Sequence, residues 1–516
     1  MKSSCFALLC FLTLCCNAQK KEEFPSQKNV NTFEPSWESL KQHQTPEWFL
    51  DAKFGIYFHW GVYSYMGKGE WYSHHMYEDK DKGWNHDLRE HHLETYGDSV
   101  QYYDFFPKFT AQHFDAAEWA ELFKKSGAKF VGPVAEHCDY FSNWNSKVNP
   151  YNSVNYGPKL DIVGELEKAI KAKDLKFVAT FHHSWEWGWY NLWNGLADTT
   201  NIEFRSLFGE VTPKETFYRL GKNASGQYDG IVLDEDKPSQ KFIDLWKAKI
   251  HEVIDQYKPD LLWFDSRVFL LPEKDRKEMV AYYYNKALKW DKEVVLTYKN
   301  EDLEKGVGVI DLEKGRFDEK TDFPWLTDDS YAWNGWSWRS NLKLKTPQII
   351  IQELVDISSK NGCLLLNITP THDGKIPEKQ REGLLQIGKW LTNNGEAIYK
   401  TRPYKTYGEG DTKLKKNHFG GVQGNGVTYK PTDFRFTQNK SKDVLYVIQL
   451  DIPEPNQEFT LTTFSKENVG ANEKIKSIEL LGSNETISWR KTQEGLKLKA
   501  PKKITGQHAL VYKVNL

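Results

Sequence analysis

From about Lys53 to Tyr399, short apolar runs alternate with segments of helical periodicity, and this rhythm narrows the possible folds more than any other feature of the chain. The runs that read as strands are Phe54–His59, Phe130–Ala135, Phe177–His182, Leu261–Asp265, Val294–Tyr298, Val307–Leu312 and Leu364–Ile368. Between them, Ala116–Ser126 carries Trp119, Leu122 and Phe123 on one face, and Ile162–Lys173 carries Ile162, Val163, Leu166 and Ile170. Lys241–Tyr257, Lys274–Trp290, Pro347–Ser359 and Glu378–Thr392 repeat the pattern, the last running up to Asn394-Gly395, a stop signal. Repeated strand-then-helix units build a parallel sheet, and over this length the closed solution is a (β/α)8-like, TIM-type barrel, irregular in places.

A chain of 516 residues is too long for one ordinary core, so a large domain of about 350 residues is expected beside a smaller one. After about Thr401 the segments V-L-Y-V-I-Q-L, E-F-T-L-T-T-F, S-I-E-L-L, T-I-S-W-R, L-K-L-K and H-A-L-V-Y-K-V-N-L are short, often alternating, and divided by Gly, Asn, Lys and Pro. They predict a C-terminal antiparallel β-sandwich. The division expected is a leader over 1–18, a polar tether over 19–34, the barrel over 35–403 and the sandwich over 404–516.

The leader has Lys2 near its start, an apolar run from Phe6 to Cys16 and a small residue, Ala18, before Gln19. It reads as a secretory signal peptide too short to span a bilayer, so export to the periplasm or beyond is expected. A lipid anchor on Cys15 or Cys16 is the less favoured alternative, because Leu14 is bulky where a small residue is wanted. Beyond the leader only Cys138 and Cys363 remain, so disulfides do not build this fold. The net charge of -2, with both signs mixed throughout, leaves no basic footprint for nucleic acid. Of the 20 Trp residues all but Trp489 precede position 400, which concentrates flat faces suited to stacking on sugars in the barrel.

Barrel enzymes place their reactive groups at the C-terminal ends of strands, around one mouth. Here His59, Glu136 with His137, His182 with His183, Asp265, Tyr298 with Lys299, and Glu313 all fall at or just past predicted strand ends. Glycoside cleavage needs two carboxyl groups, one to attack or to activate water and one to protonate the departing oxygen. Asp265 closes P-D-L-L-W-F-D directly after an apolar run, and no helix pattern begins before about Glu273, so it reads as the nucleophile rather than a helix cap.

These motifs resemble the α-L-fucosidases of glycoside hydrolase family 29. The likeness runs through F-G-I-Y-F-H-W-G with E-W-Y, G-A-K-F-V with H-C-D-Y-F, G-P-K-L-D-I-V-G-E-L, H-S-W-E-W, P-D-L-L-W-F-D, K-N-G-C-L-L-L-N-I-T-P-T-H-D-G-K-I-P and N-G-E-A-I-Y-K-T-R-P. The resemblance implies removal of a terminal α-L-fucose from an oligo- or polysaccharide by double displacement, with no metal or organic cofactor. It matches Asp265 to the nucleophile and His59, Glu70, Trp71 and His137 to the sugar pocket. His183, rather than His182, is taken as a pocket wall, and Tyr298 and Lys299 as substrate contacts. Glu313 is taken as the acid/base, with Glu301, Glu304, Glu319 and Asp328 as competitors.

Three departures bear on the sugar. Cys138 replaces the second His of the His-His-Asp-Gly-Phe run, Lys299 stands where Arg is common, and Ser266 replaces a Gly after the nucleophile. An α-L-galactoside, another L-sugar or a sulfated fucose is therefore an alternative substrate, and a catalytically silent carbohydrate-binding protein an alternative role. A zinc-dependent barrel hydrolase using His59, His137, His182, His183 and Asp265 is disfavoured, because no H-x-H pair follows the first strand. The stretch Trp333–Arg339 is expected to form a partly buried wall of the cleft.

Overall fold

The computed structural model describes residues 30–78, 86–212, 237–299, 302–414 and 427–516; the leader and most of the tether lie outside them. Eight parallel strands close into a barrel: β1 (Phe54–Phe58), β2 (Phe130–Glu136), β3 (Lys176–Phe181), β4 (Leu261–Phe264), β5 (Val295–Lys299), β6 (Val309–Asp311), β7 (Trp325–Ser330) and β8 (Gly362–Ile368). Closure comes from β1 against β8, with Phe54 opposite Leu364 and Tyr57 opposite Asn367.

Strand alternation divides the side chains between two apolar clusters. Tyr57, Val134, Val178, Trp263, Val295, Val309, Leu326 and Leu365 fill the interior, above Phe49 and Ala52 of the short helix Glu47–Ala52. Ile56, Phe58, Ala179, Phe181, Leu262, Phe264, Leu296, Leu364 and Leu366 face the surrounding helices. Those helices are Ala116–Lys125, Ile162–Ala172, Gln240–Tyr257, Glu273–Lys289, Pro347–Ser359 and Glu378–Asn394. Among the described residues no α-helix separates β5 from β6 or β6 from β7, which is where the barrel is irregular.

Strand β7, sequence W-L-T-D-D-S, is absent from the apolar runs of the sequence because four of its six residues are polar, yet all six are buried. Its carboxylates have partners inside the fold: Asp328 turns inward, and Asp329 turns outward to the Lys345 ammonium at 2.6 Å.

The C-terminal domain is two antiparallel sheets. One has the order β13-β16-β11-β10-β9 and the other β12-β15-β14, with β9 Thr401–Glu409, β10 Phe434–Asn439, β11 Val444–Gln449, β12 Glu458–Leu461, β13 Ser477–Leu480, β14 Trp489–Thr492, β15 Gly495–Lys499 and β16 Leu510–Asn515. At the seam, fully buried Asp356 on the helix Pro347–Ser359 accepts from Arg435 Nε of β10 at 2.5 Å, with Lys360 at 3.0 Å and Arg316 at 3.6 Å. Cys138 and Cys363 are both buried and free. No helix among the described residues is long and apolar enough to cross a membrane.

Candidate active site

Asp265 follows β4 and is fixed there by its backbone N–H, which donates to the Phe181 carbonyl of β3 at 2.9 Å. Its parity is that of Trp263, so the carboxylate points into the barrel mouth, with its side chain 17% exposed. One oxygen, Oδ1, accepts from the Ser266 N–H at 2.8 Å and lies 3.3 Å from Lys299 Nζ. The other, Oδ2, is 3.1 Å from His182 Nδ1. Burial disfavours the charged carboxylate, but the Lys299 ammonium and the His182 contact outweigh it and hold Asp265 well below the usual carboxylate range.

Lys299 ends β5 pointing inward, its side chain only 5% exposed, over the Trp263 ring at 4.8 Å. Its ammonium meets four carboxylates: Asp265 and Asp328 at 3.3 Å, Glu313 at 3.2 Å and Asp311 at 3.8 Å. Beneath it Tyr57 donates to Asp328 at 2.9 Å, Trp263 Nε1 donates to Asp311 at 2.9 Å, and the Asp328 N–H donates to Asp311 at 3.0 Å. Burial first, and then the Asp328 charge, push the Asp311 pKa far up, while the Lys299 ammonium opposes the rise.

Glu313 lies just beyond β6 with 42% of its side chain open to water. Burial and the charges of Asp328 and Asp265 raise its pKa, while Lys299 opposes them. Solvent screening at this exposure limits the size of the rise but not its direction. Of the other carboxyls considered for the acid/base, Glu304 is an exposed partner of Lys41, Glu319 is exposed, Asp328 lies under Lys299, and Glu301 is outside the described residues.

The opposite wall is imidazole. His59, next inward residue after Tyr57, packs its ring 4.8 Å from His182 and 5.4 Å from His137. His137 reaches the mouth because the register of β2 shifts between Val134 and Glu136. That shift sends Glu136 outward to the buried Lys249 and brings His137 in, the re-aiming a β-bulge performs. Burial, then the His182 charge, lower the His59 pKa to about 3, and burial also drives His137 well below its ordinary value.

Glu70 accepts from the N–H and hydroxyl of Ser337 at 3.1 and 3.0 Å. Although burial opposes its charge, Arg339 and His59 keep its pKa low. Trp71 stands against Trp189 at 5.0 Å and Trp185 at 5.5 Å, and Trp189 reaches His137 at 6.2 Å. Trp336, from the segment expected to wall the cleft, is half-buried with its ring 5.6 Å from His59.

Two expected pocket residues face the other way. His183 is a buried member of the outer layer, stacked on Trp246 with ring centroids 5.6 Å apart and Nε2 3.3 Å from the Trp246 carbonyl. His182 shares the inward parity of Val178 and takes the place at the pocket that was given to His183. Tyr298 likewise lies in the outer cluster with Tyr284, since its neighbour Lys299 takes the inward position. The Cys138 thiol donates to the His182 carbonyl at 3.6 Å, so it braces the strand end that carries His182.

Asn367, not among the expected site residues, joins them here: its Oδ1 accepts from the His59 N–H at 3.0 Å and lies 2.8 Å from His59 Nδ1. Its position at the end of the apolar run L-L-L-N-I is the signal that would have found it. Among the described residues two groups could hold a metal: His59, His137 and His182, with one ligand atom from each lying within 4.8 Å of the others, and His74, His75 and Glu78.

A sequence model described as Alpha-L-fucosidase matches residues 20–396, and one described as Alpha-L-fucosidase C-terminal domain matches 429–515. The chain is 32% identical over 386 residues to tissue alpha-L-fucosidase of Rattus norvegicus, covering 73% of this chain and 74% of that one. It is 29% identical over 491 residues to plasma alpha-L-fucosidase of Homo sapiens, covering 92% and 89%. Among solved structures, Thermotoga maritima alpha-fucosidase in complex with fucose superposes with a TM-score of 0.70 at 27% identity, covering 93% of this chain and all of that one. With both domains matched and most of each chain aligned, the protein belongs to the α-L-fucosidase family and is a glycosidase.

Proposed function

We propose that the protein removes terminal α-L-fucose from glycans with retention of configuration, through a covalent glycosyl-enzyme intermediate. The observation that carries this reading is the sharing of one ammonium by two carboxylates. Asp265 Oδ1 and Glu313 Oε2 each lie within 3.3 Å of Lys299 Nζ, so those two oxygens can be no farther apart than the two contacts end to end. Retaining enzymes hold their carboxyl groups about 5–5.5 Å apart, whereas inverting enzymes leave roughly 6.5–9.5 Å for a water.

Their environments also separate the two groups by role. Asp265, held ionised, attacks the anomeric carbon, and Glu313, with its proton retained to higher pH, delivers that proton to the leaving oxygen. Glu313 then removes a proton from the water that opens the intermediate. His59, His137, His182 and Glu70 offer ring nitrogens and a carboxylate to the sugar hydroxyls, and Trp336 and the Trp71 cluster offer apolar faces to its C–H surface.

The test is turnover of aryl α-L-fucoside, α-L-galactoside and α-L-glucoside by the protein and by Asp265→Ala, with NMR of the first-formed anomer. Fucoside turnover that yields the α-anomer and vanishes in Asp265→Ala supports the reading. A β-anomer would overturn retention, and preference for the galactoside would replace fucose with the larger sugar. We also infer export from the composition of residues 1–18; mass spectrometry of the protein recovered outside the cytoplasm tests it through the new N-terminus at Gln19.

A further inference from the structure

We propose that His59, His137 and His182 bind a divalent first-row transition ion such as Zn2+ in the place the sugar would take. The three rings form a closed triangle, with centroids 4.8 Å apart for His59–His182, 5.4 Å for His59–His137 and 4.6 Å for His137–His182. They come from the ends of three adjacent barrel strands, a rigid base for a ligand set. A tetrahedral zinc site with bonds of about 2.0–2.1 Å spaces its ligand atoms by about 3.3 Å. Ligand atoms already within 4.8 Å of one another need only small ring rotations to reach that spacing.

Ring orientation adds a second, independent line of argument. Asn367 donates through Nδ2 to the Trp336 carbonyl at 2.6 Å and the Ser330 hydroxyl at 3.1 Å, which fixes its Oδ1 as the acceptor toward His59 Nδ1. His59 therefore carries its proton on Nδ1 and leaves the Nε2 lone pair for the pocket. His182 gives Nδ1 to Asp265, so its Nε2 is the atom left over. An imidazole turned toward a metal by a carboxylate or carbonyl on its other nitrogen is the outer arrangement that zinc sites employ.

Two ring nitrogens, His182 Nε2 and His137 Nδ1, are buried with no hydrogen-bond partner among the described residues, in residues only 5% and 4% exposed. Entry is through the mouth, where Asp265 and Glu313 reach solvent. In the second cluster, by contrast, Glu78 already takes His74 Nε2 at 3.3 Å and His75 Nδ1 at 2.7 Å. Nothing in the proposal gives the ion a step in hydrolysis: an ion on these nitrogens occupies the pocket and excludes the sugar. That competition rests on the fucose reading above, whereas binding of the ion does not.

Co2+ added to the full-length protein is the probe, because a tetrahedral site gives it a visible absorption band. The expected result is a band that saturates near one equivalent, is displaced by Zn2+, and disappears in folded His137→Gln and His59→Gln. L-fucose at ten times its own Kd should raise the apparent Kd for Co2+ about tenfold. No band, or a band that survives in whichever of the two variants retains the wild-type melting transition, overturns the site, as does a band lost in His74→Gln instead. A band that depends on His137 and His59 but is indifferent to L-fucose upholds the metal site and counts against the fucose reading.

Discussion

His182 and His183 are consecutive in the chain and sit on opposite sides of the barrel wall, one 3.1 Å from the Asp265 carboxylate and the other stacked on Trp246. Their substitutions separate accordingly. His182→Ala removes a contact to the nucleophile and is expected to lower kcat/KM about 100-fold with little change in melting temperature. His183→Ala opens a cavity under the helix Gln240–Tyr257 and is expected to cost about 2–4 kcal/mol of stability while leaving kcat/KM nearly unchanged. Urea melts and steady-state kinetics on both variants check the pair.

The pH profile tests Lys299. Its charge lowers the pKa of Asp265 and opposes the rise at Glu313, so removing it moves both groups upward. Activity needs Asp265 ionised and Glu313 protonated. Lys299→Met should therefore shift both the acidic and the basic limb of kcat/KM to higher pH, by about 1–3 pH units, whereas Lys299→Arg should restore the wild-type limbs in part.

Leaving-group dependence tests Glu313. A good leaving group departs without a proton, so Glu313→Ala should cost little in kcat/KM on an activated aryl fucoside and about 100- to 10,000-fold in kcat/KM on an oligosaccharide, while kcat falls on both because opening of the intermediate loses its base. Equal losses in kcat/KM on both substrates would assign the acid role to another carboxyl.

Acid sensitivity of the seam between the domains follows from Asp356. Burial opposes its charge, yet Lys360, Arg435 and Arg316 hold its carboxyl far below the unfolded value of about 3.9. Its contribution to stability is therefore complete above that value and is lost as pH falls through the folded pKa. Asp356→Asn leaves buried cations without their partner and is expected to destabilise by about 3–5 kcal/mol at pH 7. The gap from wild type should narrow below about pH 4, as measured by urea midpoints across pH.

Trp336→Ala removes a ring that lies 5.6 Å from His59. A loss of roughly 1 kcal/mol, or about fivefold in kcat/KM, is expected for a sugar that packs against it. Unchanged kinetics on an oligosaccharide would make the ring structural.

The barrel was legible because most of its strands are apolar runs bounded by helix patterns, and the helix at Pro347–Ser359 has the bounds its sequence predicts. β7 was not, because the inward position of Asp328 only makes sense once Lys299 is known to face it. Strand β10, F-R-F-T-Q-N, was passed over for the same reason, since its Arg435 is buried against an aspartate on the barrel. For the site, Asp265, His59 and Lys299, read from their places near strand ends, lie at one mouth, whereas His183 and Tyr298 lie one residue out of phase, in the outer layer. With a side-chain period of two, such a slip moves a residue from the mouth to the helical layer.

The hydrogen bonds from His59 to Asn367 join the first strand of the barrel to the last, residues separated by 308 positions in sequence. The carboxylate side is assembled from a compact stretch of chain between Asp265 and Asp328, all contributed by successive strands. The two halves of the pocket thus differ in contact order, and the slow event in forming a barrel is the long-range one. Recovery of ligand binding during refolding should therefore report the joining of β1 to β8 and trail the recovery of secondary structure.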